Sequence, residues 1–400
     1  MVNVIGLGYV GLPTALMLAA HGVPVVGTDR DPRVIEGLTR GQMTFREPGL
    51  DAVYHAAAAR GIRFSMTCER ADTYIIAVPT PLTEDGARMD AGCLLSAVEQ
   101  ALAVCPEGAA LVIESTVAPG TMDRLLRPLI GQRHVHLVHA PERVIPGNTV
   151  EEMRRNSRVI GADDRAVGER IAGLYASFCQ GRIEITDLKT AEMTKVAENT
   201  FRAVNIAFAN ELAKICRREQ VDVYEVIRLC NAHPRVDILQ PGPGVGGHCV
   251  PVDPYFLTEA HPNLAEVTAA ALRVNGGMPD HVLGRIGEIM AEKGIADYSR
   301  VGLYGLTYKE NVDDTRNAPA LQLLSRQRGR PAAAMKTYDP YVFADLTPHQ
   351  YHDLDAFLRD VDLAVILIPH EQILRQAQKL RGKTVLDCRR CLPLPGAYTL

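Results

Sequence analysis

The 400-residue chain has little of several features that often announce a function. It contains no run of about 18 apolar residues, so nothing in it predicts a membrane-spanning helix. Its net charge is only -4, which leaves no broad basic footprint for nucleic acid or for an anionic membrane. Any anionic ligand must then be met by local basic groups or by helix N-termini. The opening stretch MVNVIGLGYVG has no basic leader segment and reads directly as a strand, so a cytoplasmic protein is expected. The nine cysteines are scattered, and Cys388 and Cys391 form a lone C-x-x-C without a second pair. No zinc or other metal site is therefore expected, and the thiols should be reduced and mostly structural. Short-period repeats and low-complexity tracts are also missing. The composition is that of an ordinary globular protein, 47% hydrophobic and 22% charged, long enough for two or three domains with sizeable cores.

The order of apolar runs is more telling. Val2–Leu7, VPVVGTDRD, TYIIAVP, ALVIEST, VHLVHAP and SRVIGA read as strands, with helical patterns between several of them, including one over Pro119–Ile130 and one over Asp164–Phe178. That alternation predicts a doubly wound parallel sheet. From Asp187 to Glu219 nothing breaks a helical pattern, giving a rod of roughly 45–50 Å. A rod of that length links domains or packs against its own copy in a dimer. Alternation resumes at Arg300 with RVGLYGL, AMKTYDP, LAVILIP and KTVLDC. The expected fold class is α/β: two Rossmann-like, doubly wound parallel-sheet domains joined by a long central helix and a helical dimerisation domain. The expected boundaries are 1–186, 187–295 with the cysteine loop, and 296–400.

Gly6-Leu7-Gly8-Tyr9-Val10-Gly11 matches G-x-G-x-x-G, a weak pattern by itself. Here it lies between a strand and a helix, and Asp29 ends the next strand, which is the context of a dinucleotide site. The glycines would admit a pyrophosphate to the helix N-terminus. Asp29 would accept hydrogen bonds from the adenine ribose and repel a 2′-phosphate, which selects NAD. A glycine-rich turn with a solvated aspartate is the bland alternative, and the context disfavours it.

The loop PGPGVGGHCVPVDP places Cys249 after two glycines and four residues before Asp253. A thiolate is a nucleophile, but a free cysteine is largely protonated at neutral pH and needs a nearby cation or base. Alone, Cys249 would read as a gap-filler behind a glycine turn; beside a nucleotide fold and in so dense a Pro/Gly loop, it reads as functional. Gly246 and Gly247 would let a bulky substrate approach the backbone. On the long helix, Lys195 and Asn199 share a face, extended by Glu192 and Arg202. That face is either a solvated stripe or an ammonium and an amide set to hold an oxyanion, and helical spacing does not separate the two. Glu142, Thr80 and Thr116 all follow strand ends, the edge at which open α/β sheets bind ligands, although each threonine could equally be a cap.

Taken together, GLGYVGLP, VPTP, EST, APERV, the Lys195–Asn199 pair, GGHCVPVDP and GLTYKENVDDTRNAP occur in the order found in the nucleotide-sugar 6-dehydrogenases, and the chain resembles that family along essentially its whole length. The resemblance implies two successive oxidations at C6 of a UDP-sugar with two NAD per product, from alcohol to aldehyde, then through a cysteine thiohemiacetal and thioester to the acid. Cys249 would be the nucleophile, because an aldehyde gives up a second hydride only after something has added to its carbonyl. Lys195 and Asn199 would hold oxyanions, Asp253 would order water or proton transfer, and Glu142 would be the acid/base of thioester hydrolysis with Thr116 helping to hold water. Tyr9, Val10, Thr80, Thr116 and Arg316 would join the glycines and Asp29 around NAD. Glu142, Arg143, Val144, Lys195, Asn199, Arg235, Gly246 and Lys309 would contact the sugar nucleotide, with Arg235 serving the partner subunit of a homodimer in many relatives.

Glucose-specific relatives usually carry lysine where this chain has Val252, and the flanking motifs look like the branch that acts on UDP-N-acetylhexosamines. UDP-N-acetylmannosamine is the first expectation and UDP-N-acetylglucosamine the second, with UDP-glucose a further alternative. Two other classes compete. A two-electron hydroxyacid-type dehydrogenase would not need Cys249, and a non-catalytic NAD-binding protein would give no NADH with any UDP-sugar.

Overall fold

The computed structural model describes residues 1–83, 86 and 88–400. It divides into two compact units, Met1–Glu198 with Tyr255–Pro262, and Asn199–Pro254 with Asn263–Leu400.

The first unit is built on an eight-stranded sheet. Its strands are β1 (Val2–Ile5), β2 (Val25–Thr28), β3 (Arg63–Ser65), β4 (Thr73–Ile76), β5 (Ala110–Ile113), β6 (His136–His139), β7 (Arg158–Ala162) and β8 (Ile183–Thr186). They lie in the order β3-β2-β1-β4-β5-β6-β7-β8. β1, β2, β4 and β5 are buried at every residue, as strands covered on both faces must be. Side chains alternate between faces. Val4, Ile75, Val112 and Val138 join one core with the helix Gly11–Ala20. Ile5, Ile76, Leu111 and Leu137 join the opposite core with the helix Gly92–Val104. Each fully buried Leu, Ile or Val adds about 1.5–3 kcal/mol over its exposed state. The one polar residue of β1, Asn3, bonds Val26 O (3.0 Å), Thr28 Oγ1 (2.7 Å) and the Glu69 N–H (3.0 Å), so its burial leaves no amide group unmatched.

The doubly wound α/β class holds, with one amendment to the parallel sheet. β6 and β7 are antiparallel, Val138 lying opposite Ala162 and His139 opposite Gly161. The only helix between them is the short Thr149–Arg155. Its start is tied down by Glu47, whose carboxylate accepts the N–H groups of Gly147 (2.9 Å) and Thr149 (2.8 Å). The chain thus re-enters the sheet from the edge it left. A second difference concerns Pro119–Ile130, expected as one helix. It opens with a π turn, Met122–Leu126, and becomes α-helical only over Arg127–Ile130. Pro128 has no N–H to give to the turn before it, which breaks the regular ladder there.

The long helix is present as Leu188–Arg218, 31 residues or about 46 Å. The second unit carries a five-stranded sheet of β9 (Val301–Tyr304), β10 (Lys336–Tyr338), β11 (Gln350–Tyr351), β12 (Leu363–Ile366) and β13 (Thr384–Asp387), in the order β11-β10-β9-β12-β13. All of its pairings are parallel. Leu303, Val365 and Leu386 fill one face with Val282 and Ile286 of the helix Met278–Lys293. Tyr304, Ile366 and Val385 fill the other with Phe357. The two-residue strand β11 was too short to show in the sequence pattern.

Candidate active site

In the first unit the glycines of the β1 turn divide by task. A Cβ on Gly11 would sit 1.9 Å from Gly6 O, and one on Gly6, where φ is +91°, would sit 2.7 Å from Ala77 O. These two close the turn. Gly8 has nothing within 4 Å of a built Cβ, so its backbone is open to an approaching group. Such a turn suits the pyrophosphate of a dinucleotide. Asp29 is fixed by two backbone donors, Leu7 N–H to Oδ2 (2.8 Å) and Asp31 N–H to Oδ1 (2.9 Å). Each oxygen keeps further lone-pair capacity for a ribose hydroxyl. The ring of Tyr9 packs on Phe45 at 4.3 Å, and the half-buried Val10 leads into the helix. Thr80 and Thr116 are brought together, the Thr80 hydroxyl donating to Thr116 O at 2.7 Å.

The APERV segment follows β6. Glu142 is buried; its Oε1 accepts the Arg143 N–H at 2.7 Å and its Oε2 accepts from Arg158 at 2.5 Å. Arg143 turns back onto the protein. Its Nε donates to Glu198 at 3.0 Å and its Nη1 to Ser157 O at 2.9 Å. The half-buried Val144 packs on the sheet core. On the long helix Lys195 is buried, whereas Arg202 is exposed. Glu192 has a job unconnected with a solvated stripe. Both its oxygens accept backbone N–H groups, from Gly120 (2.6 Å) and Met122 (2.8 Å), and burial pushes its carboxyl up.

In the second unit the cysteine loop is tied to two distant segments. The carbonyl of Cys249 accepts the N–H groups of Val252 (3.0 Å) and Asp253 (2.8 Å), which starts the helix Asp253–Ala260 directly after the half-buried cysteine. Asp253 is buried, and its Oδ2 accepts the Asn199 Nδ2–H at 2.5 Å. Cys249, Asp253 and Asn199 are thereby assembled. Gly247 donates its N–H to Arg316 O (2.8 Å), and its carbonyl accepts from the Asn317 amide (2.8 Å). A Cβ on Gly246 would lie 2.4 Å from the Cβ of Tyr308, so glycine there serves the close approach of the Tyr308 segment. The Arg316 guanidinium is held by Asp314, with Nε 2.9 Å from Oδ1. Lys309 follows Thr307, whose hydroxyl donates to Lys309 O at 2.9 Å. Arg235 lies on an exposed turn beside His233. Among the described residues no three His, Cys, Asp or Glu side chains are grouped to hold a metal ion.

The three parts of the chain match three domains of one family in sequence order. Residues 1–179 match the NAD binding domain of the UDP-glucose/GDP-mannose dehydrogenase family, 189–276 its central domain and 302–393 its UDP binding domain. The UDP-N-acetyl-D-mannosamine dehydrogenase of Methanocaldococcus jannaschii is 39% identical over 97% of this chain and 92% of its own. The chain belongs to the UDP-glucose/GDP-mannose dehydrogenase family. An NDP-N-acetyl-D-galactosaminuronic acid dehydrogenase of Ralstonia nicotianae is 36% identical over 97% of this chain and 95% of its own. The solved UDP-N-acetyl-mannosamine dehydrogenase of Staphylococcus aureus superposes with a TM-score of 0.89 at 38% identity, covering 100% of this chain and 97% of that one.

As a member of this family, the chain is an NAD-dependent nucleotide-sugar dehydrogenase. The open backbone at Gly8 and the fixed Asp29 fit NAD. Sequence reasoning passed over several residues around these sites. Glu114 was quoted within EST, and Arg158 within SRVIGA, but neither was singled out, because an ionisable residue inside a strand pattern reads as an interruption. Buried His139, pushed down to about 4 by burial, donates its Nδ1–H to Ile113 O (3.0 Å) and was likewise not singled out. His370 was missed because its partners are far away in sequence. The Asn311 N–H donates to its Nδ1 (3.0 Å), leaving Nε2 to donate to Asp339 Oδ2 (3.0 Å) at the base of the loop bearing Lys309.

Proposed function

We propose that the protein oxidises the C6 hydroxyl of a UDP-N-acetylhexosamine, UDP-N-acetylmannosamine in the first place, to the uronic acid in two consecutive steps through a covalent bond to Cys249. The observation that carries this reading is the assembly of Cys249, Asp253 and Asn199, which lie up to 54 residues apart and share two hydrogen-bonded links. The N-acetylmannosamine choice draws on the near-full-length similarity to enzymes of that name. NAD, held by Gly6, Gly8, Tyr9, Val10, Gly11, Asp29, Thr80, Thr116 and Arg316, supplies the electron-pair acceptor for each oxidation.

The Cys249 sulfur adds to the aldehyde carbon, and the carbonyl oxygen becomes an oxyanion held by the Lys195 ammonium and the Asn199 amide. Asp253 uses one amide hydrogen of Asn199 and thereby aims the second. After the second oxidation, water adds to the thioester carbon and gives a proton to Glu142; the C–S bond breaks and the thiolate of Cys249 leaves. Thr116 helps to hold that water. Arg143, Val144, Arg235, Gly246 and Lys309 complete the sugar-nucleotide contacts. The division at 1–186, 187–295 and 296–400 belongs to this reading, as do a cytoplasmic location and a homodimer. Phe201, Phe208 and Ile215 recur every seventh residue as exposed apolar side chains on the long helix, a row suited to a second copy of the same helix.

The test is a panel of UDP-sugars with NADH counted per sugar consumed, for the parent and for Cys249→Ser. Two NADH per sugar, fastest turnover with UDP-N-acetylmannosamine, and no acid from Cys249→Ser are expected. A ratio of one, or acid formed by Cys249→Ser at the parent rate, overturns the thioester route. A faster reaction with another hexosamine reassigns the substrate.

A further inference from the structure

One guanidinium serves two glutamates in the interior of the first unit. Arg158 opens β7, and the reversed direction of that strand decides where it lies. Val138 faces Ala162 and His139 faces Gly161, so the same register continued three residues places Arg158 beside Glu142, just past the end of β6. The side chain is buried. One terminal nitrogen is 2.5 Å from Glu142 Oε2 and the other is 3.5 Å from Glu114 Oε1. The guanidinium carbon sits 4.4 Å from the Tyr175 ring centre and 5.5 Å from that of Phe178.

Glu114 comes from the end of β5 and is likewise buried. The Thr14 hydroxyl lies 2.9 Å from its Oε2, and the Tyr175 hydroxyl 3.1 Å from its Oε1. The Arg143 N–H bonds Glu142, while the Arg143 side chain is taken by Glu198 and Ser157. His139 of β6 is kept neutral by burial. Lys195, also buried, acts on His139, while Arg158 is the cation in contact with both carboxyl groups, which therefore compete for it. A second buried anion without its own partner costs several kcal/mol, so only one of the pair is comfortably ionised. Burial, reinforced by the like charge of Glu142, pushes Glu114 up to about 8, so Glu114 is the one that keeps its proton. Arg158 is then left to pair with Glu142.

We propose that Arg158 and Glu114 are positioning residues for the hydrolytic step, Arg158 fixing the Glu142 carboxylate in place, and Glu114 ceding the guanidinium to it. The inference rests on the reading of Glu142 as the acid/base of thioester hydrolysis. Neither residue touches substrate. Their effect is on how firmly the Glu142 carboxylate is held to take the proton from water.

The experiment uses the full-length enzyme with NAD and its best UDP-sugar, and compares Glu142→Gln, Arg158→Lys and Glu114→Gln. It reads pH profiles of kcat, KM for the sugar, and the Cys249-bound acyl adduct by mass spectrometry of quenched reactions. Arg158→Lys keeps one cation but loses the fork, so its kcat should fall by about 10- to 100-fold at neutral pH with adduct accumulating, its acid limb should move up by roughly one pH unit, and KM should stay within about threefold. Glu114 gives up its proton near 8 and then competes for Arg158, so the parent kcat is expected to fall above that pH, and Glu114→Gln, which removes the competing charge, is expected to move the fall to higher pH. If both variants keep the parent pH profile and accumulate no adduct, the positioning role is wrong. Glu142→Gln separates the two levels. Adduct accumulation in that variant upholds Glu142 as the base whatever the other two do, and its absence removes the base assignment and this proposal with it.

Discussion

Replacing Glu114 by glutamine should change how the stability of the first unit responds to pH. In the folded chain burial pushes this carboxyl up from about 4.5 to about 8. Below 4.5 both the folded and the unfolded chain hold the proton, and above 8 neither does. Between those values the folded chain keeps a proton that the unfolded chain has released, so stability falls as pH rises through the window. The slope approaches 1.4 kcal/mol per pH unit, which sums to about 5 kcal/mol as an upper bound over the window. Glutamine preserves the shape. Its amide oxygen accepts from Tyr175 and faces Arg158, while its NH2 group donates to the Thr14 hydroxyl. The titration disappears with the carboxyl. Native-state hydrogen exchange of the β5 amides, corrected for intrinsic rates, reads the opening free energy of this sheet at pH 5, 6.5 and 8. The variant should match the parent within about 1 kcal/mol at pH 5 and exceed it by several kcal/mol at pH 8. Curves that run parallel from pH 5 to 8 would mean that Glu114 ionises normally in the fold, and the charge accounting around Arg158 would be refuted.

Two further outcomes test the site directly. Gly8→Ala should fold normally, because nothing lies within 4 Å of the new methyl, yet bind NAD about 10-fold or more weakly by calorimetry; Gly11→Ala, with backbone 1.9 Å away, should fail to give a soluble first sheet. Asn199→Asp would set a second carboxylate 2.5 Å from that of Asp253, so one of the two must take up a proton and the oxyanion loses its amide donor. A drop in kcat of about 100-fold or more with unchanged NAD affinity is expected from steady-state kinetics and calorimetry, and full activity would show that Asn199 holds no oxyanion.

Much of this architecture was legible because its signals are local. The fingerprint glycines, the four-residue strand before them, apolar but for Asn3, and the acid at the end of the next strand all lie within 29 residues, and each constrains the others. The long helix was legible because nothing in it breaks a 3.6-residue period. The direction of β7 was not, since an apolar strand pattern looks the same run either way, and only the short connecting helix and its Glu47 anchor decide which edge the chain enters from. The partners of Glu192 were not legible for a related reason. Helical spacing puts it on the face of Lys195, but the groups it bonds are backbone N–H groups of Gly120 and Met122, some 70 residues earlier. Gly246 drew attention as room for a substrate, and the residue that requires it, Tyr308, lies 62 positions away.

The reversal of β7 has a chemical consequence that a parallel sheet could not supply. In a parallel strand the first residue lies at the edge away from the ligand-binding side, and only residues at or beyond the last position reach the working edge. Arg158 is the first residue of a five-residue strand. Had β7 run parallel to β6, the guanidinium would start about 13 Å away, at the other end of the strand. Run in reverse, it is delivered to the carboxyl edge from inside the sheet, where Tyr175 and Phe178 cover it and water does not screen it. A surface arginine could reach Glu142 from the loop side, as Arg143 does with its backbone N–H, but its charge would be weakened by solvent and by its pairing with Glu198. The buried position lets one guanidinium bond Glu142 unscreened while burial and the like charge of Glu142 push the second carboxyl, Glu114, up.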